Sequence, residues 1–349
     1  MQNISILHEV RNHIGHLVLN RPQELNALSL NMVQSLATIL KKWADDPEIH
    51  AVVLRSSSPK AFCAGGDIRA LYESYVAGND QYIDFFEQEY ALDQFIYAYP
   101  KPVIVFINGY CLGGGMGLVQ GATFRVVSDQ AKLGMPETAI GYFPDVGGSY
   151  FLSRIPGEIG TYLALTGKQL NAADALYNGL ADYYVPSQRL EQLDEALGSL
   201  LWQQDPYTSI KNVLEMLAMR APEKPQIESS ESQINQLFAG DDLTLIYRRL
   251  KHDRSEFAQQ ALALMEKSSP LAMAVTLELL RRGKALERAD CFALELHLDR
   301  QWFAHGDIVK GVRVLIIDKD KMPRWSVANI DKVLKSDVAA FFNGFYVAY

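Results

Sequence analysis

Cysteine is scarce in this 349-residue chain, which contains only Cys63, Cys111 and Cys291. Three widely spaced cysteines with no CxxC pair cannot form the disulfide framework of a small secreted domain. The first thirty residues also lack the apolar stretch of a secretory signal, since Arg11 and Arg21 stand among polar residues. We therefore expect a reducing compartment and a cytoplasmic location.

A surplus of basic residues is absent too. Lys and Arg number 33 against 41 Asp and Glu, which gives a formal net charge of −8. This acidic balance argues against a general nucleic-acid binder, and an anionic ligand must find its positive contacts locally. Hydrophobic residues make up 48% and charged residues 21%, which excludes a disordered or fibrous chain. The length suits a large buried core with a pocket, in one domain with an appendage or in two domains.

Two further class-defining features are missing, a membrane span and a metal site. Residues 102–124 carry no charge and are long enough to cross a membrane. They include Pro102, Asn108, Gln120 and six glycines, however, so we interpret them as buried core and expect no membrane association. None of the seven histidines forms HExxH or pairs with cysteine at zinc-finger spacing, so no metal site is predicted.

Apolar periodicity in the first half predicts alternating strands and helices. Two short runs, Ile4–Val10 and His16–Asn20, are separated by Asn12 and Gly15 and predict a hairpin. Ser29 precedes an apolar stripe at helical spacing and is a good N-cap. Further strands are predicted at Ala51–Arg55, Val103–Ile107 and Phe124–Ser128. Residues 68–98 are predicted to be helical and are rich in aromatic side chains. Such alternation is typical of an α/β fold with right-handed crossovers.

The strand signals fade after about residue 155, and the second half is predicted to be helical. Helical periodicity marks Leu190–Leu201, Leu262–Arg282 and Phe292–Phe303. Residues 220–242 are polar, with two prolines and a run of acids, and predict an exposed connector or insertion. We therefore divide the chain into an α/β core over residues 1–205 and a mostly helical region over residues 206–349, with the polar insertion near 220–242.

Two glycine clusters each follow a strand and precede a helix: Ala64-Gly65-Gly66-Asp67 and Gly113-Gly114-Gly115-Met116-Gly117. Neither matches GxGxxG or GxxxxGK[ST], so a nucleotide loop is not indicated. The simpler interpretation is close packing at a strand-to-helix turn. A pair of such turns can, however, aim two bare backbone N–H groups at one carbonyl oxygen, with the helix starts adding positive dipole ends. Two donors placed in this way form an oxyanion hole.

Glu137 and Asp145 lie eight residues apart in a loop that is otherwise apolar and interrupted by glycine and proline. Two carboxylates in poor solvent tend to separate their pKa values, one staying ionised and the other rising. The alternative is that Asp145 only caps a helix that begins at Val146. Cys63 and Ser149 are weaker candidates for a nucleophile, because no histidine lies near Cys63 in sequence and GxSxG would need glycine at position 151.

Several long motifs fit one family pattern: Asn20-Arg21-Pro22 with Leu25-Asn26-Ala27-Leu28, Ala61–Ile68, Gly109–Gly117, and Gly167 after Leu165-Thr166. Together they resemble the crotonase (enoyl-CoA hydratase/isomerase) superfamily. Within it, Met135–Gly157 and Gly311–Trp325 resemble a branch of thioester hydrolases. The resemblance extends to about residue 335. It implies an α/β fold with a crotonase-type ββα spiral core and a helical C-terminal region.

The resemblance also implies roles for the residues at matching positions. Gly66 and Gly114 would donate their N–H groups to a thioester carbonyl, and Glu137 and Asp145 would be the acid/base or nucleophilic pair. Glu89 would bind the substrate, as would Gly114 and the two acids. The coenzyme A arm would be bordered by residues of the first turn and the first glycine cluster: Arg21, Asn26, Ala27, Leu28, Lys60, Ala64, Gly66, Asp67 and Ile68. Arg21 and Lys60 would lie near its phosphates.

One departure from the family pattern bears on the reaction. Hydratases carry a first catalytic glutamate, and dienoyl-CoA isomerases an aspartate, where this chain has Gly117. This departure argues against water addition to a double bond. The resemblance to the hydrolase branch implies instead the hydrolysis of a short branched 3-hydroxyacyl-CoA, namely 3-hydroxyisobutyryl-CoA of valine breakdown. The alternatives are an acyl-CoA isomerase, hydratase or decarboxylase on the same scaffold, and a catalytically inactive CoA-binding protein. The acyl-CoA is the only expected partner, without nucleic acid or a cofactor other than its own coenzyme A, and assembly into a homo-oligomer stays open.

Overall fold

The computed structural model of the chain describes residues 4–320 and 322–347, which fold as two compact units. Unit 1 comprises the described part of Met1–Gly66 together with Gln88–Leu133 and Leu170–Gln226. Unit 2 comprises Asp67–Glu87, Gly134–Gln169 and the described part of Ile227–Tyr349. Both units draw on separate stretches of the chain. Neither follows the division between residues 205 and 206, which stays a prediction.

Nine strands lie in the described residues: β1 (Ile6–Arg11), β2 (Ile14–Leu19), β3 (Ala51–Ser56), β4 (Ala61–Cys63), β5 (Val103–Ile107), β6 (Tyr110–Leu112), β7 (Phe124–Val127), β8 (Lys132–Gly134) and β9 (Tyr183–Tyr184). One sheet has the order β1-β2-β3-β5-β7-β9, and the other has the order β4-β6-β8. Apart from the antiparallel β1–β2 pair, all neighbours in the larger sheet run parallel. From β3 to β8, successive strands alternate between the two sheets, as a ββα spiral requires. The predicted α/β class is confirmed.

The hairpin predicted at the start of the chain is present, with a different turn. Ile6 pairs with Leu19 and Arg11 pairs with Ile14, so only Asn12 and His13 connect the strands. Both connecting residues have positive φ, 48° and 62°, as a type I′ turn requires. Gly15, which the sequence suggested as a turn residue, lies inside β2 instead, against the Trp43 ring.

Sixteen α-helices lie in the described residues: α1 (Leu30–Asp45), α2 (Ile68–Val76), α3 (Gln81–Tyr97), α4 (Gly114–Gln120), α5 (Gly148–Phe151), α6 (Ile159–Thr166), α7 (Ala172–Tyr177), α8 (Leu190–Gly198), α9 (Pro206–Leu217), α10 (Gln226–Leu237), α11 (Leu243–His252), α12 (Glu256–Met265), α13 (Pro270–Gly283), α14 (Arg288–His305), α15 (Ile308–Val312) and α16 (Lys335–Phe342). The first of them begins as predicted, because the Ser29 hydroxyl accepts the Met32 N–H at 3.3 Å. The region after residue 205 is helical, as predicted.

The uncharged stretch at residues 102–124 is buried core. All of β5 and all of α4 are buried, and β5 pairs with β3 on one side and β7 on the other. Strand residues such as Val53 and Ile104 pack with Leu193 and Leu214 from α8 and α9. Across the described part of the chain, no helix combines the length and the apolar character needed to cross a membrane.

Two helical segments of the second half differ from the pattern seen in the sequence. The single helix expected at Leu262–Arg282 is broken between α12 and α13, where the Ser269 hydroxyl caps α13 and Pro270 occupies its first position. The polar stretch 220–242 contains the helix α10, which the sequence did not indicate, and its assignment as an insertion stays a prediction. That helix buries Ile227, Ile234 and Leu237 on one face, and the surrounding polar residues masked this apolar spacing.

Candidate active site

The turn after β2, residues 21–28, is held together by the side chain of Asn26. This side chain is fully buried, and its Nδ2 lies 2.6 Å from Ser56 Oγ and 3.0 Å from the Phe62 carbonyl oxygen. Its Oδ1 accepts the Arg21 backbone N–H at 2.8 Å. Asn26 and Leu25 both have positive φ, 56° and 51°. The amide of Asn26 is therefore engaged inside the protein, so a contact with coenzyme A would have to come from the backbone.

This turn packs directly against the first glycine cluster. The Leu28 N–H donates to the Gly65 carbonyl oxygen at 2.8 Å, and the Ala64 N–H donates to the Leu25 carbonyl oxygen at 3.1 Å. Leu28 and Gly66 form a parallel bridge. Four residues of the predicted coenzyme A set, Ala27, Leu28, Ala64 and Gly66, thus lie within one local structure.

The two predicted oxyanion donors are neighbours in unit 1. A β-carbon placed on Gly114 would lie 3.4 Å from the Gly66 nitrogen and would overlap a carboxylate oxygen of Glu89. Within residues 4–320 and 322–347, neither the Gly66 nor the Gly114 amide donates to another protein group. Two unused N–H groups beside a buried glutamate can bind a carbonyl oxygen and a nearby polar substituent.

The cysteine between these elements is chemically inert. Cys63 is fully buried at the end of β4. Burial, and to a smaller extent the negative charges of Glu89 and Asp93, raise the pKa of its thiol to about 12. The thiol stays protonated at neutral pH, which removes Cys63 as a candidate nucleophile.

The remaining residues of the predicted coenzyme A set have different surroundings. Arg21 donates through Nη1 to the Ala27 carbonyl oxygen at 3.0 Å, whereas the Lys60 side chain is exposed. Asp67 and Ile68 belong to unit 2. Asp67 caps α2 by accepting the Ala70 N–H at 3.1 Å, and Ile68 is the first residue of that helix.

Glu137 begins a single 3-10 turn, Glu137–Ile140, in unit 2. Its side chain is only 7% exposed, and Oε2 has no hydrogen-bond partner among the described residues. Burial, followed by the nearby negative charge of Asp145, raises the pKa of Glu137 well above its ordinary value. This is the upward shift that the sequence predicted for one member of the pair.

Asp145 is buried and does not cap a helix. The helix after it, α5, begins at Gly148 with Gly147 as its N-cap and no side-chain cap bond. The Tyr142 hydroxyl lies 3.3 Å from Asp145 Oδ2. Val146 has φ of 50°, a conformation that costs a β-branched residue about 1–3 kcal/mol. The segment carrying Asp145 is therefore strained and must be held in place by its surroundings.

Three buried residues of unit 2 were missed from the sequence: Tyr142, Glu295 and Asp299. Tyr142 lies inside the Met135–Gly157 motif, but the sequence gave it no role. Glu295 and Asp299 lie about 150 residues further along, on α14. Burial outweighs the donors around Glu295 and raises its pKa to about 8. A usable signal exists, because acids at positions 295 and 299 share a helical face with the apolar Phe292 and Trp302.

Metal binding finds no support in the described residues, where no group of three or more His, Cys, Asp and Glu side chains could hold an ion. The groups described above are two neighbouring amides and a buried glutamate in unit 1, and a buried carboxyl pair in unit 2.

Comparison with known proteins places these features in context. A family model described as Enoyl-CoA hydratase/isomerase matches residues 14–342. The chain is 39% identical over 321 residues to 3-hydroxyisobutyryl-CoA hydrolase, mitochondrial, of Gallus gallus, covering 91% of this chain and 83% of that protein. The corresponding Homo sapiens protein is 37% identical over 341 residues, covering 97% of this chain and 88% of that protein.

Solved structures are similar along nearly the whole chain. An enoyl-CoA hydratase from Rhodobacter sphaeroides is 37% identical, with a TM-score of 0.89 and coverage of 97% of both chains. A carnitinyl-CoA dehydratase from Mycobacterium thermoresistibile is 34% identical, with a TM-score of 0.91 and coverage of 97% of this chain and 96% of the other.

Proposed function

The chain belongs to the enoyl-CoA hydratase/isomerase family, and from this membership we propose that it hydrolyses 3-hydroxyisobutyryl-CoA to 3-hydroxyisobutyrate and coenzyme A. Several curated relatives bear that activity in their names, and they confirm the prediction of a thioester hydrolase. The place of the reaction in valine degradation is part of the proposal.

The observation that carries the proposal is the buried carboxyl pair of Glu137 and Asp145. Water addition to a double bond in this family uses a second carboxylate at the position of Gly117, and the buried Gly117 of α4 cannot supply it. The similar solved structures are named as a hydratase and a dehydratase. The missing carboxylate favours hydrolysis over those reactions.

We assign the amides of Gly66 and Gly114 to the thioester carbonyl oxygen. Attack on the carbonyl carbon moves negative charge onto that oxygen, and two N–H donors stabilise the charge. In other enzymes, loss of one such donor lowers kcat roughly 10²- to 10³-fold. Glu89, whose carboxylate lies beside Gly114, is assigned to the hydroxyl of the acyl group.

Glu137 can act by either of two routes. In the first, its carboxylate oxygen bonds to the thioester carbon, the carbon–sulfur bond breaks, and water then opens the resulting anhydride. In the second, Glu137 takes a proton from water, and the hydroxide attacks the thioester carbon directly. In both routes the reactive form of the pair carries one proton, on Asp145, while Glu137 is ionised. Asp145 gives this proton to the leaving thiolate as the carbon–sulfur bond breaks, and the proton that water loses then restores it. Both routes need Glu137 ionised, so its raised pKa predicts that turnover falls as the pH drops through that value.

The cytoplasmic location predicted from the sequence is contradicted. The curated relatives are named as mitochondrial proteins, which points to the mitochondrion instead. The physical reason for the error is that a scarcity of cysteine indicates only a reducing compartment, and the mitochondrial interior is reducing as well. We also propose that the reaction needs no cofactor beyond the coenzyme A of its substrate.

A panel of thioesters tests the proposed function. Free thiol and enoyl absorbance are followed together for 3-hydroxyisobutyryl-CoA, crotonyl-CoA and a malonyl-type thioester. A hydrolase releases thiol from the first without changing the absorbance of crotonyl-CoA. Loss of enoyl absorbance without thiol release would establish a hydratase instead, and absence of both reactions would support a binding protein.

Oxygen-18 water separates the two routes under single-turnover conditions. The anhydride route places label in the Glu137 side chain, because water can attack the glutamyl carbonyl. The direct route never labels the protein. Mass spectrometry of the peptide that contains Glu137 therefore distinguishes them, with Glu137→Gln as the unlabelled control.

A further inference from the structure

One face of α14 contacts the loop of residues 141–149 at several points. Phe292, Glu295, Asp299 and Trp302 are all buried and recur at spacings of three, four and three residues, which places them on a single helical stripe. Trp302 Nε1 donates to the Gly141 carbonyl oxygen at 2.9 Å. The helix therefore holds the start of the loop that carries Asp145.

The same helix holds the end of this loop through Glu295. Its Oε2 accepts the Gly147 N–H at 2.7 Å, and its Oε1 accepts the Ser149 N–H at 2.9 Å. The Ser149 hydroxyl donates to Oε1 as well, at 2.5 Å. The Phe292 ring packs against Gly147 so closely that a β-carbon on this glycine would lie 2.9 Å from the ring. These contacts fix the backbone immediately after the strained Val146.

Between these two anchors, Tyr142 connects Asp145 to the helix. Its hydroxyl donates to Asp299 Oδ1 and lies 3.3 Å from Asp145 Oδ2. A hydroxyl has one proton and two acceptor sites. When Tyr142 donates to Asp299, its oxygen can accept the proton of a protonated Asp145. The Tyr142 hydroxyl thus holds one carboxyl oxygen of Asp145 in a fixed orientation while Asp145 is protonated and able to donate its proton.

We infer that Tyr142 and Asp299 are positioning residues that act through Asp145, and that Glu295 holds the loop in which Asp145 sits. This inference rests on the proposed function, since it assumes that Asp145 supplies a proton during thioester cleavage. The acids of α14 are consequently part of the machinery that prepares the reaction, although they lie far from the active-site motifs in sequence.

A double-mutant cycle tests the inference, using Tyr142→Phe, Asp145→Asn and the combined variant. Tyr142→Phe keeps the ring and is expected to lower kcat about tenfold with KM changed less than about threefold, because only orientation is lost. In the Asp145→Asn background the same change should leave kcat unaltered, since the residue through which Tyr142 acts has lost its function. Asp299→Asn provides a second cycle with an isosteric change.

The matched control is Tyr247→Phe, which removes a tyrosine–carboxylate hydrogen bond of 3.2 Å to Glu266 on the surface of the same unit. It should leave kcat unchanged in both backgrounds. A Tyr142→Phe enzyme with parental kcat, or one that loses the same factor in both backgrounds, would overturn the positioning role. A parent enzyme that cleaves no thioester would instead overturn the proposed function, and the positioning role would fall with it.

Discussion

Replacement of Asn26 should destabilise the protein through the turn that adjoins the first glycine cluster. The Asn26→Ala change removes the Nδ2 donor from the Phe62 carbonyl oxygen and the Oδ1 acceptor from the Arg21 N–H. The Ala61 carbonyl oxygen keeps a partner, because the Ser56 hydroxyl donates to it at 2.7 Å. Two backbone groups therefore lose their side-chain partner.

The size of the effect follows from two contributions. An unsatisfied buried polar group costs roughly 1–3 kcal/mol, with the lower end appropriate for the half-buried Arg21. At φ of 56°, alanine adds about 1 kcal/mol of left-handed strain that asparagine tolerates better. We expect the free energy of unfolding to fall by about 3 kcal/mol, a large part of the roughly 5–15 kcal/mol that a typical domain possesses.

Urea unfolding of Asn26→Ala and Asn26→Gly measures both contributions. Glycine also lacks the amide but adopts positive φ without strain, so Asn26→Gly should be more stable than Asn26→Ala by about 1 kcal/mol. Parental stability in both variants would refute the reasoning about the hydrogen bonds. Equal destabilisation of both variants would refute the part that concerns the backbone.

Three further outcomes are expected. Glu137→Gln should lower kcat by about 10³-fold with KM nearly unchanged, measured by thiol release, and activity within tenfold of the parent would remove Glu137 from the reaction. Gly114→Ala should lower kcat by about 10²-fold because its methyl overlaps the Glu89 carboxylate. Its control is Gly198→Ala, which has open space around the new methyl and should leave kcat unchanged in the same assay. The raised pKa of Glu295 means that the folded state holds its proton more tightly than the unfolded state, so this group's stabilising contribution is lost as the pH rises from about 4.5 to about 8. The urea midpoint of the parent should therefore fall relative to that of Glu295→Gln between pH 5 and pH 8. Midpoints that change with pH by the same amount in both proteins would contradict the raised pKa of Glu295.

Local patterns carried most of the fold prediction. Ser29 and the apolar stripe behind it defined α1, and the buried runs gave β3, β5 and β7 close to their observed bounds. The break at Ser269-Pro270 was missed because the apolar spacing continues across it, although serine followed by proline is a helix start in its own right. The α10 helix was missed because its three apolar residues are diluted by polar ones.

The candidate site was only partly accessible from the sequence, for a physical reason. Glu137 and Asp145 stand out because charge is rare in their own apolar loop. Glu295 and Asp299 looked like ordinary helix residues, because their partners lie about 150 positions away and only the folded chain brings them together. The sequence of a single helix does not reveal which of its acidic side chains is buried in the folded protein.

The central claim is that the enzyme cleaves a thioester whose acyl group carries a 3-hydroxyl. The measurement is kcat/KM for thiol release from 3-hydroxyisobutyryl-CoA and from isobutyryl-CoA, with the same enzyme preparation. A buried hydroxyl partner left unsatisfied costs roughly 1–3 kcal/mol, so we predict a preference of about 5-fold to 150-fold for the hydroxylated thioester. Equal values for the two thioesters, or no release from either, would contradict the account.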